Sequence, residues 1–299
     1  MNQTLKKRLN KIWRHMKTTA KSHPRLFALY FFLRLFVVVV MIEQLFNHEY
    51  TNVFLCFLTL ILFTIPTFVE RRIKVDVPDT LEVIILLFIF AAEILGEIRE
   101  YYVNVPGWDT MLHTINGFLC AAIGIALIDI LNRNDRFSIS MSPLFVAVVA
   151  FCFSMTIGVL WEFIEFFSDQ LFRTDMQKDA IVHSISSVML NPNGRNIPVI
   201  LNGITGSIIT ASSNGQTTQT TINGFLDLGL LDTMKDLFVN FIGAVVFSVI
   251  GYFYIKYRKA GKNSKFVSRF MLTRILASEA DPAPPETASP GAGDDKERP

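Results

Sequence analysis

Residues 143–167 read PLFVAVVAFCFSMTIGVLWEFIEFF, with no Asp, Glu, Lys or Arg before Glu162. A spanning helix needs about 20 mostly apolar residues, and in lipid a helix is the structure in which such a run satisfies its own backbone polar groups. Five more segments share this character: 26–46, 52–69, 81–98, 111–131 and 236–257. The expected fold is therefore an all-α integral membrane protein, a six-span helical bundle over residues 26–257. Composition agrees. The chain is 51% hydrophobic and 18% charged, where a soluble domain carries about a quarter charged residues. A soluble enzyme, a disordered chain and a secreted disulfide scaffold are excluded. Cys56, Cys120 and Cys152 all lie in apolar runs without motif spacing and read as small packing residues.

Orientation follows from Lys and Arg in the short connections. Residues 1–25 hold Lys6, Lys7, Arg8, Lys11, Arg14, Lys17, Lys21 and Arg25 and no acid. The next connection has neither Lys nor Arg, and the following one has Arg71, Arg72 and Lys74. The third has Arg99 alone, and the fourth has Arg133 and Arg136. The segment after span 6 is again basic. Both termini are expected in the cytoplasm of a bacterial cell and the 168–235 loop outside its inner membrane. Residues 1–25 form a basic amphipathic segment, with Leu5, Leu9, Ile12, Trp13 and Met16 on one face. Residues 258–299 form a basic stretch and a disordered tail, within which Phe266, Phe270 and Met271 are expected against the inner leaflet. Arg34, inside span 1, is expected to snorkel inwards. In the outer loop, β-prone runs at 207–212 and 216–222 flank Ser213-Asn214-Gly215. This is a hairpin signal, and a small extracytoplasmic β-hairpin is expected between spans 5 and 6. Asn202-Gly203 and Asn223-Gly224 are further turn candidates.

Polar residues in or beside spans are costly and so informative. Asp109, His113 and Asn116 share one face at the start of span 4. Glu162, Glu165 and Asp169 share one at the end of span 5. Asp232, Asp236, Asn240 and Gly243 line one at the start of span 6. Glu93, Glu97 and Glu100 close span 3. With alternating spans, all four sets fall in the outer half of the bilayer. Several acids in one low-dielectric cavity repel by several kcal/mol unless protons or a cation sit among them. Hard oxygen ligands suit Mg²⁺, Ca²⁺ or Mn²⁺, and a His adds Zn²⁺. Candidate ligands to a divalent metal are Asp109, His113, Glu162, Glu165, Asp232 and Asp236. Candidate catalytic groups are His113, Glu162, Glu165 and Asp236, and Trp108, Asn116, Trp161, Asp169 and Asn240 complete the polar site. Asp109 and Asp232 also read as helix N-caps, Trp108 and Trp161 as interface aromatics, and Asn240 and Gly243 as close-packing residues.

Three elements occur in order: Trp108-Asp109-x3-His113-x3-Gly117-Phe118, Trp161-Glu162-x2-Glu165, and Asp232-x3-Asp236-x3-Asn240-x2-Gly243. Over about residues 107–251 this resembles the YjdF-like bacterial inner-membrane proteins and, more distantly, VanZ-like proteins. The resemblance implies a shared fold and a shared polar site, and names no substrate. The functional expectation is a metal-binding acidic/His site that acts on, or binds, an envelope or lipid-linked substrate, with hydrolase or transferase chemistry through a metal-activated water as its enzymatic form. The alternatives are an ion-coupled transporter and a structural or partner-binding membrane protein. The bilayer is the expected partner; nucleic acid is not.

Overall fold

The computed structural model describes residues 24–73, 75–132, 141–259, 267, 269–270 and 273–274. The basic 1–23 segment, the 278–299 tail, Phe266 and Met271 lie outside the described residues. Helix α1 is Pro24–Phe46, α2 Tyr50–Leu62 and α3 Ile65–Ile73. Strand β1, Val75–Asp76, leads to α4, Asp79–Ile89, which runs without a break into a π-helix, Phe90–Ile98. Then come α5 (Tyr101–Asn104), α6 (Trp108–Asn132) and α7 (Pro143–Phe172). The strands β2 (Ala180–Val182), β3 (Ser184–Ser187), β4 (Val199–Asn202), β5 (Ser207–Ser213), β6 (Gln216–Ile222) and β7 (Phe225–Asp227) follow. Helix α8 spans Leu230–Lys259, and β8 is Thr273–Arg274.

Among the described residues, five helical stretches are long and apolar enough to cross a membrane: Pro24–Phe46, Tyr50–Glu70, Trp108–Leu131, Pro143–Phe172 and Leu230–Arg258. The expected segment 81–98 departs from a plain α-helix. Its second half winds as a π-helix, so neither piece alone reaches a span's length. The second segment also breaks, at Phe63 and Thr64 between α2 and α3. There Arg34 Nη2 donates to the Phe63 carbonyl at 3.3 Å, and its guanidinium lies 4.9 Å from the Tyr30 ring centre. A partner at the helix break, rather than snorkelling, accounts for this charge within α1.

The apolar side chains are distributed as a lipid solvent requires. Phe31, Phe32, Phe54, Phe57, Phe163 and Phe167 are exposed on the helices, while small residues fill the interior. Ala121, Ala122, Ile125 and Ala126 of α6 are fully buried against Val146 and Ala150 of α7 and Phe247 of α8. A second core joins Val37 and Val40 of α1, Cys56 of α2, Phe63, Leu86 of α4 and Ile94. Cys56 packs as expected, whereas Cys152 is exposed on α7. Helices α6 and α8 touch at glycines. A Cβ on Gly117 would lie 2.0 Å from the Asn240 carbonyl oxygen, and one on Gly243 would lie 2.1 Å from that of Thr114. Only hydrogen in place of a side chain permits this approach, the small-residue packing of membrane helices.

Between α7 and α8 the strands form antiparallel pairs: β2 with β7, β3 with β4, and β5 with β6. The β5–β6 ladder runs from Ser207↔Ile222 to Ser213↔Gln216. Asn214 and Gly215 carry φ of 52° and 78°, the positive values a two-residue hairpin turn demands. At the other end of the helices β8 pairs with β1. Phe270 is buried there, its ring 5.8 Å from that of Phe118 and 5.5 Å from that of Phe247. The expectation of Phe270 on a lipid surface is thus overturned: two aromatic faces in the core offer it more contact than the leaflet.

Candidate metal centre and the cavity beside it

The polar faces of α6, α7 and α8 converge at one end of the three-helix core. Asp109 and His113 are one turn apart on α6, and Asp236 projects from α8. These three each offer a ligand atom within 4.8 Å of the others. His113 Nε2 lies 3.3 Å from Asp109 Oδ1, and His113 Nδ1 lies 3.7 Å from Glu162 Oε1 of α7. Asp236 and Glu162 are 1% and 4% exposed. Among the described residues, neither oxygen of Glu162, nor Oδ1 of Asp236, has a hydrogen-bond partner. Lys235 supplies part of the missing charge. Its Nζ is 2.7 Å from Asp232, 3.3 Å from Asp109 and 3.5 Å from Asp236.

One helical turn deeper the same faces turn from charge to amide. Asn116 Nδ2 donates to Asn240 Oδ1 at 3.1 Å, and Asn240 Nδ2 lies 3.6 Å from Met155 Sδ. A Cβ on Gly158 would meet Asn240 Nδ2 at 2.6 Å. Ser154 Oγ donates to the Gly117 carbonyl at 2.7 Å. These contacts fix how far α6, α7 and α8 stand apart, and so fix the spacing of the acids above them. Asn116 and Asn240 thus bridge α6 and α8 just below the acids.

A cavity of about 180 Å³ opens beside this cluster. Trp108, Asp109, Trp161, Glu165, Asp232 and Lys235 are in its wall, joined by Glu97 of the π-helix and Tyr102 of α5. Glu165 Oε1 accepts from Trp161 Nε1 at 2.7 Å, and the residue lines the cavity. Tyr102 reaches the wall because Gly96 leaves room; a Cβ there would sit 2.3 Å from its ring. Burial, with the carboxylates of Glu97 and Asp109 nearby, pushes the Tyr102 phenol well above its ordinary value, so this hydroxyl keeps its proton.

Asp169 belongs to neither group. It accepts from Thr174 Oγ1 and Met176 N at 2.7 Å and from Gln177 N at 2.9 Å. That holds the start of the loop over the site. Gln177 Nε2 then donates to Thr233 Oγ1 at 2.6 Å, and Lys178 N to Asp232 Oδ2 at 3.0 Å. Asp109 and Asp232 are not N-caps: each lies inside the first turn of its helix, and Asp227 Oδ2 accepts from Leu231 N at the start of α8. Lys178, Tyr102 and Thr233 are neighbours that spacing within the spans could not reveal, since two of them come from connections. Glu43 pairs with Arg99 at 3.2 Å on the surface.

Long apolar helices around a buried polar cluster define a membrane protein. Over residues 28–257 the chain matches a family described as "Predicted membrane protein (DUF2238)". It belongs to that family. No curated protein and no solved structure matches it.

Proposed function

We propose that the chain is a bacterial inner-membrane protein whose acidic/His site binds one divalent metal ion at the extracytoplasmic face and there binds, or acts on, an envelope or lipid-linked substrate. In this reading the π-helical segment 81–98 is a sixth span, the termini are cytoplasmic, and the β5–β6 hairpin belongs to the outer loop. The ordered Trp-Asp-His, Trp-Glu-Glu and Asp-Asp-Asn-Gly elements support kinship with YjdF-like and, at greater distance, VanZ-like proteins.

One observation carries the metal. Glu162 is buried with neither oxygen in a hydrogen bond among the described residues and with the His113 ring 3.7 Å away, next to three residues whose ligand atoms already cluster within 4.8 Å. A buried carboxylate without compensation is expensive. Two like charges about 4 Å apart repel by roughly 4 kcal/mol at an effective dielectric of about 20. A divalent cation relieves both costs. Its ligands are His113 through Nε2, Asp109 and Asp236. Glu162, facing Nδ1, orients the ring as a carboxylate behind a metal-bound imidazole does. A bound ion supplies a Lewis acid and an acidified water. Glu165, across the site on the cavity wall, is the carboxylate available to move a proton there.

The test is metal analysis of purified protein equilibrated with Mn²⁺ or Zn²⁺. Wild type is expected to retain about one ion per chain, the Asp109→Ala and His113→Ala variants none, and Glu162→Gln a site weakened by about 10–100-fold. A folded double variant, His113→Ala with Glu162→Ala, that keeps the full metal content sinks the reading.

A further inference from the structure

We propose that the cavity beside the triad takes a small ligand bearing an ammonium group, either the amine of a lipid headgroup or a free amine. The inference rests on the reading of this cluster as a ligand site, and does not need the metal.

Charge sets the sign. Glu97, Asp109, Glu165 and Asp232 contribute carboxylates to the wall, against Lys178 and Lys235. Both lysines are already committed. Lys235 Nζ holds Asp232 at 2.7 Å and Asp109 at 3.3 Å, and Lys178 Nζ donates to the Asp175 carbonyl. Glu97 and Glu165 form no ion pair among the described residues, so an entering cation meets two carboxyl groups that no ion pair already holds. A cation in the triad leaves these two carboxyl groups in place, because neither Glu97 nor Glu165 belongs to the triad. A phosphate or a carboxylate entering the cavity meets the wrong charge.

The rings set the chemical class. Tyr102, Trp108 and Trp161 line the same space. Trp108 is held edge-on by Tyr101, with ring centres 4.9 Å apart, and Trp161 is tethered through its Nε1 to Glu165. Aromatic faces beside carboxylates are the recognition chemistry of organic ammonium ions, whereas a bare metal ion prefers oxygen donors alone. Size sets the limit. About 180 Å³ is below the roughly 300–1,000 Å³ of pockets for drug-sized ligands, so a headgroup fits and an extended glycan does not. Leu160, Phe163, Ile164 and Phe167 next to Trp161 are exposed and apolar on α7, a surface along which acyl chains can lie while the amine enters.

Two of the chain's three tryptophans line the cavity, so intrinsic fluorescence reports its occupancy. The full chain in detergent is titrated with short-chain phosphatidylethanolamine, with phosphatidylglycerol of the same chains, and with ethanolamine. A saturable change is expected with phosphatidylethanolamine, at least tenfold tighter than with phosphatidylglycerol. Glu97→Gln is expected to weaken it by about tenfold or more. Comparable binding of free ethanolamine assigns the source to a soluble amine; binding of the lipid alone assigns it to a headgroup. Equal affinity for the two lipids, no saturable signal, or an unchanged Glu97→Gln overturns the proposal. The lipid comparison uses wild type and stands even if the variant fails to fold. Metal content of the same preparations separates the two ideas: metal without amine binding defeats this inference alone, and amine binding without metal defeats the metal site alone.

Discussion

Glu162 concentrates the argument at the scale of a residue. It sits three residues before Glu165 on α7, yet the two side chains have different work, one behind the His113 ring and the other on the cavity wall. A carboxylate that is 4% exposed and faces the His113 ring at 3.7 Å without a hydrogen bond among the described residues costs the metal-free fold stability. Glu162→Gln is therefore expected to raise the melting temperature of metal-free protein. It is also expected to shrink the stabilisation that metal gives, which for wild type is about 2.7 kcal/mol at a hundredfold excess over Kd. Thermal unfolding with and without Mn²⁺ measures both, and an unchanged metal increment goes against the assignment. The sequence displayed these acids as sets on helix faces, and three of the faces do meet. It could not divide the members of a set, because that division depends on the rotation of α7 against α6 and on partners such as Trp161 and His113. Asp169 shows the limit well. Its spacing puts it in line with Glu165, but three donors from the following loop lie closer to it than any site residue does.

At the scale of elements, the crossing of α6 and α8 decides where the site residues stand. Gly117 against Asn240 and Gly243 against Thr114 interlock reciprocally, so the two backbones touch just below the cluster. Gly243→Ala places a methyl group 2.1 Å from a carbonyl oxygen that belongs to the backbone. The helices must part, at an expected cost of about 1–3 kcal/mol, visible as a lower melting temperature in detergent. Because the acids ride on the same helices, metal affinity is expected to fall with it, although residue 243 touches no ligand. A variant of unaltered stability and affinity means the crossing has slack that the distances deny. Asn240 and Gly243 were legible as packing residues from their spacing along one helix. The π-helix was not. Its sequence, FAAEILGEI, is as apolar as its neighbours, and it carries no local signal for the wider winding.

At the scale of the whole molecule, the two ends of the bundle are built differently. One carries the acids, His113 and the cavity. The other is closed by Phe118, Phe247 and Phe270, by the β1–β8 pair, and by Arg258, whose guanidinium holds the buried Asp129 at 2.5 and 3.0 Å. The partner of Asp129 lies 129 residues away, and no local pattern in the sequence reveals it. Among the described residues, that end is packed with aromatic rings and an ion pair, while the acids gather at the other. Which side that is depends on the basic residues of the connections, and it can be measured. Cysteine substituted at Ser212, exposed near the β5–β6 turn, and at Arg269, exposed beside the buried Phe270, report the two ends separately. The positive-inside distribution predicts that a membrane-impermeant maleimide labels Ser212→Cys in intact cells and reaches Arg269→Cys only after lysis. The native Cys56 is buried, and Cys120 and Cys152 lie within spanning helices, where a charged reagent reacts poorly. Labelling of Arg269→Cys in intact cells, with Ser212→Cys protected, inverts the molecule. The acids would then face the cytoplasm, and an envelope substrate could not reach them.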